Sequence, residues 1–138
     1  GGVLVFSNIQ NNATDTSSTT QNNYGPQSRI LVSEEEWDFG KVIQGEKPSH
    51  VFIVKNEGEG DLIIESIKES CPCIEVSIST TLIQSGKSAE LKASYDTTDY
   101  EGKDEKHIHI YSNDPREPDK KINLYIEIEK LTAPYSEE

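Results

Sequence analysis

The chain has 138 residues, 25 acidic against 13 basic, for a formal net charge of −12. That balance excludes a general nucleic-acid binder, which needs basic surface against phosphate, and it disfavours docking on anionic lipid. Only 33% of the residues are hydrophobic, no apolar run approaches the roughly 20 residues of a membrane-spanning helix, and two cysteines, three histidines, one Trp and no Met leave little for a disulfide-dense scaffold or a buried cofactor site.

The chain opens with a short uncharged apolar stretch, Val3-Leu4-Val5-Phe6. As an extended segment it is apolar on both faces, Val3 and Val5 on one and Leu4 and Phe6 on the other. Starting at Gly1 without an initiator Met, it reads either as the remnant of an export signal already processed or as a strand, over residues 1–9, made to be held by something. Residues 10–28 are mostly Ser, Thr, Asn and Gln, a composition that cannot offset its own chain entropy by burial and so predicts a linker. Within it Asn12-Ala13-Thr14 is a formal sequon, which makes Asn12 the candidate glycosylation site.

From residue 29 to 130 short apolar alternations recur between turn signals. Arg29–Ser33 and Trp37–Ile43 come first, then the nearly continuous apolar run His50–Lys55. Asn56-Glu57-Gly58-Glu59-Gly60-Asp61 supplies residues tolerant of positive φ and predicts a turn into Leu62–Lys68. Ile74, Val76 and Ile78 alternate with polar residues, Gln84-Ser85-Gly86-Lys87 is a second turn, and Leu91, Ala93 and Tyr95 alternate again. Ile108 and Ile110 alternate with His107, His109 and Tyr111. The clearest strand is the last, with Ile122, Leu124, Ile126 and Ile128 on one face. These four are expected to face a core with Phe52, Val54, Leu91, Ala93 and Ile108. Period-two alternation with one polar face marks antiparallel strands on a single core, and about seven of them in about 100 residues predict an all-β, immunoglobulin-like antiparallel two-sheet sandwich. Residues 131–138 read as an acidic, frayed tail.

Trp37-Asp38-Phe39-Gly40-Lys41-Val42, Gly45, Phe52-Ile53-Val54-Lys55-Asn56-Glu57-Gly58, Leu62-Ile63-Ile64, Cys71-Pro72-Cys73, Gly86-Lys87-Ser88 and Ser112-Asn113-Asp114-Pro115 appear in a specific order. The set, over Val32–Ile128, resembles a bacterial domain family of unknown function with a Cys-x-Cys signature, related to the Hydin-like immunoglobulin-fold domains. The family usually carries Cys-Gly-Cys where this chain has Cys71-Pro72-Cys73. The resemblance implies an exported sandwich and no catalytic activity.

Cys71 and Cys73 are the sharpest local feature. In a straight strand their Cα atoms lie about 6.6 Å apart at roughly 3.3 Å per residue, near the limit of about 6.8 Å for a disulfide, so a local bridge requires a bend at Pro72. A structural bridge, a redox or metal role and an intermolecular bridge are the readings open to them. Two thiolates alone do not complete a zinc site. His107 and His109 share a strand face and offer at most a weak transition-metal pair beside the plainer reading of a solvated face, and His50 reads as a rim residue. The charge-rich loops expected at Tyr100–Lys106 and Asn113–Lys121 lack a calcium-loop pattern, and Gly86-Lys87-Ser88 lacks the upstream glycine of a phosphate loop. No catalytic residue, cofactor or metal is therefore assigned.

Three functional classes follow. The first is a non-enzymatic structural subunit of an extracellular filament, a head-to-tail homopolymer in which Val3, Leu4, Val5 and Phe6 of one copy add to the sandwich of the next. The second is a monomeric periplasmic or surface module that binds another protein or a glycan. The third is a redox or metal-handling protein using Cys71 and Cys73. All three place the chain outside the cytoplasm, secreted, periplasmic or at the cell surface, with no nucleic acid and no membrane insertion.

Overall fold

A computed structural model describes residues 25–131. Val3–Phe6, Asn12 and residues 132–138 lie outside the described residues. Among those described there are nine strands: β1 (Ile30–Val32), β2 (Glu36–Ile43), β3 (Ser49–Asn56), β4 (Leu62–Glu69), β5 (Ile74–Ile78), β6 (Leu82–Ile83), β7 (Ser88–Tyr95), β8 (Gly102–Ser112) and β9 (Asp119–Glu129). They form two sheets, one ordered β1-β3-β7-β5 and the other β2-β9-β8-β4-β6.

The alternation read from the sequence is the packing pattern. Ile122, Leu124, Ile126 and Ile128 of β9 are buried with Phe52 and Val54 of β3, Leu91 and Ala93 of β7 and Ile108 of β8. Each large side chain removed from water here contributes roughly 1.5–3 kcal/mol. β9, the last strand among the described residues, lies between β2 and β8 and completes the core.

One pairing departs from the antiparallel expectation: β2 runs parallel to β9, from Glu36↔Asn123 to Ile43↔Glu129, with an irregularity between Asp38 and Lys41. Gly40 sits in that irregularity with a φ of 82°, and its N–H donates to Asp38 Oδ1 at 2.8 Å. The parallel pair arises because the chain changes sheets. β1 belongs to one sheet and, after residues 33–35, β2 joins the other; β5 and β6 repeat the move across residues 79–81. Each lateral side of the sandwich is thus finished by one segment that crosses from layer to layer.

A second departure is the expected loop Tyr100–Lys106, most of which is the first half of β8, paired with β9 from Gly102↔Ile128 to Lys106↔Leu124. Its charges do not prevent a strand because Asp104 and Lys106 pair with each other at 3.1 Å.

Asn56 ties the base of the domain together. It is fully buried. Its Oδ1 accepts from the N–H of Arg29 at 3.1 Å and of Gly58 at 2.9 Å, and its Nδ2 donates to the carbonyls of Gly60 at 2.7 Å and Ile83 at 2.9 Å. All four hydrogen-bonding positions of the amide are used. Gly58 and Gly60 serve this turn by proximity and not, as expected from the sequence, by positive φ. A Cβ on Gly58 would lie 2.1 Å from the Gln27 carbonyl oxygen, and one on Gly60 2.5 Å from that of Pro26. The end of the expected linker therefore packs on the turn, and Ser28 is buried with its hydroxyl donating to Asn113 Oδ1 at 2.9 Å.

Candidate functional site

Cys71-Pro72-Cys73 joins β4 to β5 and carries a disulfide with a Cα–Cα distance of 5.1 Å. The Ile74 N–H donates to the Cys71 carbonyl at 3.0 Å, which closes a β-turn with Pro72 at its second position, where the pyrrolidine ring presets φ. Proline is thus the bend that brings the two cysteines together. Both are buried. Cys71 Sγ accepts the Cys73 N–H at 3.1 Å and lies 3.5 Å from the Tyr100 hydroxyl.

Behind the bridge stands a polar cluster between the two layers. The Tyr100 ring meets that of Tyr95 edge-on at 5.8 Å, the Lys106 ammonium lies 6.0 Å from the Tyr100 ring centre, and the Tyr95 hydroxyl donates to Asp104 Oδ2. Burial, followed by the hydrogen bond and charge of Asp104, pushes the Tyr95 hydroxyl well up. Burial also pushes the Asp104 carboxyl up, but the hydrogen bonds from Tyr95 and Lys106 outweigh it and hold the group below its ordinary value of 3.8. A carboxyl whose folded value is depressed contributes stability that is present above its unfolded value and is lost as pH falls through the folded one. Asp104→Asn is therefore expected to flatten the acid limb of the stability curve below about pH 4, measured by urea unfolding from pH 2.5 to 7. A limb as steep in the variant as in the parent would refute this assignment.

The bridge opens directly onto β5, which ends its sheet. Four strands occupy sheet ends. β1 and β6 have three and two residues, and β2 is interrupted at Gly40 and carries Glu36, Asp38 and Lys41. Short length, irregularity and charge are the usual means of blunting a sheet edge. β5 has fewer of them: Ile74-Glu75-Val76-Ser77-Ile78 runs in unbroken register with β7 from Ile74↔Tyr95 to Ile78↔Leu91, and its one charged residue, Glu75, is paired with Lys47 at 2.8 Å. Ile74 is buried, while Val76 and Ile78 are half-buried at the side of the sandwich. A concavity of about 210 Å³ lined by Pro72, Cys73, Asp96, Asp99 and Tyr100 lies where β5 begins.

His107 and His109 share one face of β8, as the alternation predicts, and His50 lies elsewhere, on β3. His107 Nδ1 and His109 Nδ1 lie 3.0 Å and 2.8 Å from Asn123 Oδ1 and Asp119 Oδ1 on β9. His50 stacks on Trp37 at 3.5 Å and bonds Glu34 at 3.2 Å across the β1–β2 crossing. No group of three or more His, Cys, Asp or Glu side chains among the described residues is arranged to hold a metal ion. Lys87 lies in a turn, its N–H bonded to the Gln84 carbonyl at 2.9 Å. Sequence reasoning missed Tyr95, Tyr100, Asp104, Lys106 and Asn56; an alternation that carries Tyr95 inward beside a depleted apolar pattern at Asp104 and Lys106 was the available signal.

The family model described as "Protein of unknown function (DUF1573)" matches residues 30–128. No curated protein matches the sequence. Among solved structures, the chain is similar to a protein of unknown function from Porphyromonas gingivalis, at 23% identity and a TM-score of 0.66 over 72% of this chain and 46% of that one, so it spans under half of that protein. The ASH/PapD-like domain of human CEP192 is similar at 11% identity and a TM-score of 0.64, over 86% of this chain and 99% of that domain. The Escherichia coli chaperone DraB is similar at 8% identity and a TM-score of 0.52, over 73% of this chain and 56% of the chaperone. At these identities the likeness is one of fold, an immunoglobulin-like, PapD-like sandwich.

Proposed function

The chain belongs to the DUF1573 family, and from that premise we propose that it is a non-enzymatic building block acting outside the cytoplasm, whose copies join when Val3–Phe6 of one adds as a strand to the β5 edge of the next. The observation that carries this reading is the unbroken edge of β5, which among the described residues pairs with β7 on one side and with no strand on the other. Added there, the donor's amides gain partners, and one face of the strand packs beside half-buried Val76 and Ile78. The donor meets an edge and not an empty groove, because β9 already completes the core. The Cys71–Cys73 bridge supports an oxidising compartment.

The tether bears on whether the strand joins its own domain or a neighbour. The described chain begins at the β3–β4 turn, where Pro26 meets Gly60. Roughly 20 residues separate it from Phe6, a reach on the order of 25 Å as a flexible coil. Crossing four strand positions to the far side of β5 takes about 19 Å. Closure within one copy is thus the second reading, favoured by effective concentration.

Light scattering of the intact chain across a concentration series is expected to show high-mass species. Deleting residues 1–9, or replacing Val5 and Phe6 by Asp, is expected to leave monomers. Val76→Lys, an inward charge at the acceptor edge, should stop growth in the same way. An intact chain that is monomeric throughout overturns the polymer. Closure within one copy is then distinguished from a monomeric binding module by whether the Val5/Phe6 variant loses thermal stability.

A further inference from the structure

The Cys71–Cys73 bridge has features that a purely structural disulfide does not require. Its two sulfurs are placed unequally. Cys71 Sγ receives the Cys73 N–H at 3.1 Å and faces the Tyr100 hydroxyl at 3.5 Å, whereas no hydrogen bond to Cys73 Sγ is present among the described residues. Both cysteines are buried, Cys71 at 7% and Cys73 at 5% exposure, and Cys73, with Pro72 and Tyr100, borders the concavity whose wall includes Asp96 and Asp99. Two donors on one sulfur stabilise negative charge there, so that sulfur is the better leaving group when the other is attacked.

We propose that the bridge is a site of stoichiometric thiol–disulfide exchange, accepting a cysteine thiol carried on a neutral or basic polypeptide segment. A partner thiolate attacks Cys73 Sγ. A partner–Cys73 disulfide forms, the Cys71–Cys73 bond breaks, and the electron pair passes to Cys71 Sγ as a thiolate held by the Cys73 N–H and the Tyr100 hydroxyl. A second partner thiolate then attacks the partner sulfur of the mixed disulfide. The partner leaves as its own disulfide, and Cys73 leaves as a thiolate that takes a proton from water. Two partner thiols are oxidised and one protein disulfide is reduced. Asp96 and Asp99 at the mouth oppose anionic thiols and favour cationic ones. The Asp96 carboxyl, hydrogen-bonded by the Thr98 hydroxyl at 2.6 Å and amide at 3.1 Å, is held below the ordinary carboxylate value and stays charged.

The test exposes the intact native protein to cysteamine, a cationic thiol, and to mercaptoethanesulfonate, an anionic one. Samples are quenched with acid and the products read by mass spectrometry, with rates corrected for each thiol's own acidity. The bridge is expected to open without denaturant, the adduct to map to Cys73, and cysteamine to react about tenfold faster. Asp96→Asn with Asp99→Asn should narrow that preference. Tyr100→Phe is expected to slow both reagents about fivefold, the scale of one modest hydrogen bond, and to raise the Cys71 thiol in an ultraviolet titration of the reduced protein. A bridge that opens only at the rate of global unfolding, varying steeply with urea, overturns the proposal. So does a Tyr100→Phe variant that keeps its thermal stability and reacts like the parent. If that variant unfolds, an adduct on Cys71 or an unchanged reagent preference in the aspartate variant overturns it instead.

Discussion

Asn56→Ala is expected to cost about 3–5 kcal/mol, because it strands several buried backbone groups at once and each unsatisfied group costs about 1–3 kcal/mol before water relaxes part of the loss. The side chain makes four bonds, to the Arg29 and Gly58 amides and to the Gly60 and Ile83 carbonyls. These belong to three different parts of the domain: the entering segment, the β3–β4 turn at two points, and β6. A melting temperature lower by roughly 15–30 °C follows for a domain of this size. Asn56→Asp keeps the two acceptors, removes both donors and places a carboxylate in a fully buried position, so it is expected to be no more stable than the alanine variant at neutral pH. Urea unfolding of the three proteins measures the effect. A loss below about 1 kcal/mol in Asn56→Ala would show that water replaces the amide freely and would sink the argument.

Gly58→Ala is expected to destabilise by about 2–4 kcal/mol, at or above the usual cost of overpacking. The added methyl would stand 2.1 Å from the Gln27 carbonyl oxygen and 2.7 Å from both the Arg29 nitrogen and the Ser28 carbonyl carbon. All three are backbone atoms of a segment fixed by Ser28 and by Ile30, whose N–H donates to Asp114 at 2.8 Å. Gly86→Ala is the informative control. Gly86 has a φ of 76° but open space around its Cβ position, so only conformational strain of roughly 1–2 kcal/mol is expected. The order of the two variants in thermal melts separates close approach from backbone conformation. If Gly86→Ala proves the more damaging, the packing of residues 26–29 against the turn is misjudged.

The β-sandwich was legible because β7 and β9 alternate apolar and polar residues over their buried lengths, while β3 reads as a continuous apolar run in which only burial alternates, with Phe52 and Val54 inside and Val51 and Ile53 exposed. What escaped the sequence departs from that alternation for a physical reason. Gly102–Lys106 looks like a loop because it is charged, yet Asp104 and Lys106 pair with each other, Asp104 also taking the Tyr95 hydroxyl. The parallel β2–β9 pair follows from a change of sheet that no local pattern encodes. The glycines of residues 56–61 advertise positive φ, while their purpose is to let a distant segment lie against them. At the cysteines, the need for a bend at Pro72 was legible, but the neighbourhood was not, since Tyr100 comes from a different part of the chain. Val3–Phe6 and Asn12 are assigned by sequence alone.

The parallel pairing of β2 with β9 sets how the domain answers to force. The two strands run the same way, with Glu36 beside Asn123 and Ile43 beside Glu129. A pull applied between the leading end of β2 and the trailing end of β9 therefore slides one strand along the other instead of peeling them apart. In sliding, the rungs on both sides of the Gly40 irregularity share the load and must fail together, whereas peeling would break them one after another. The three residues of β1, which hold to β3, stand in front of this clamp and take the load before it. Pulled between those two points, the domain presents a shearing seam to the load and not a peeling one.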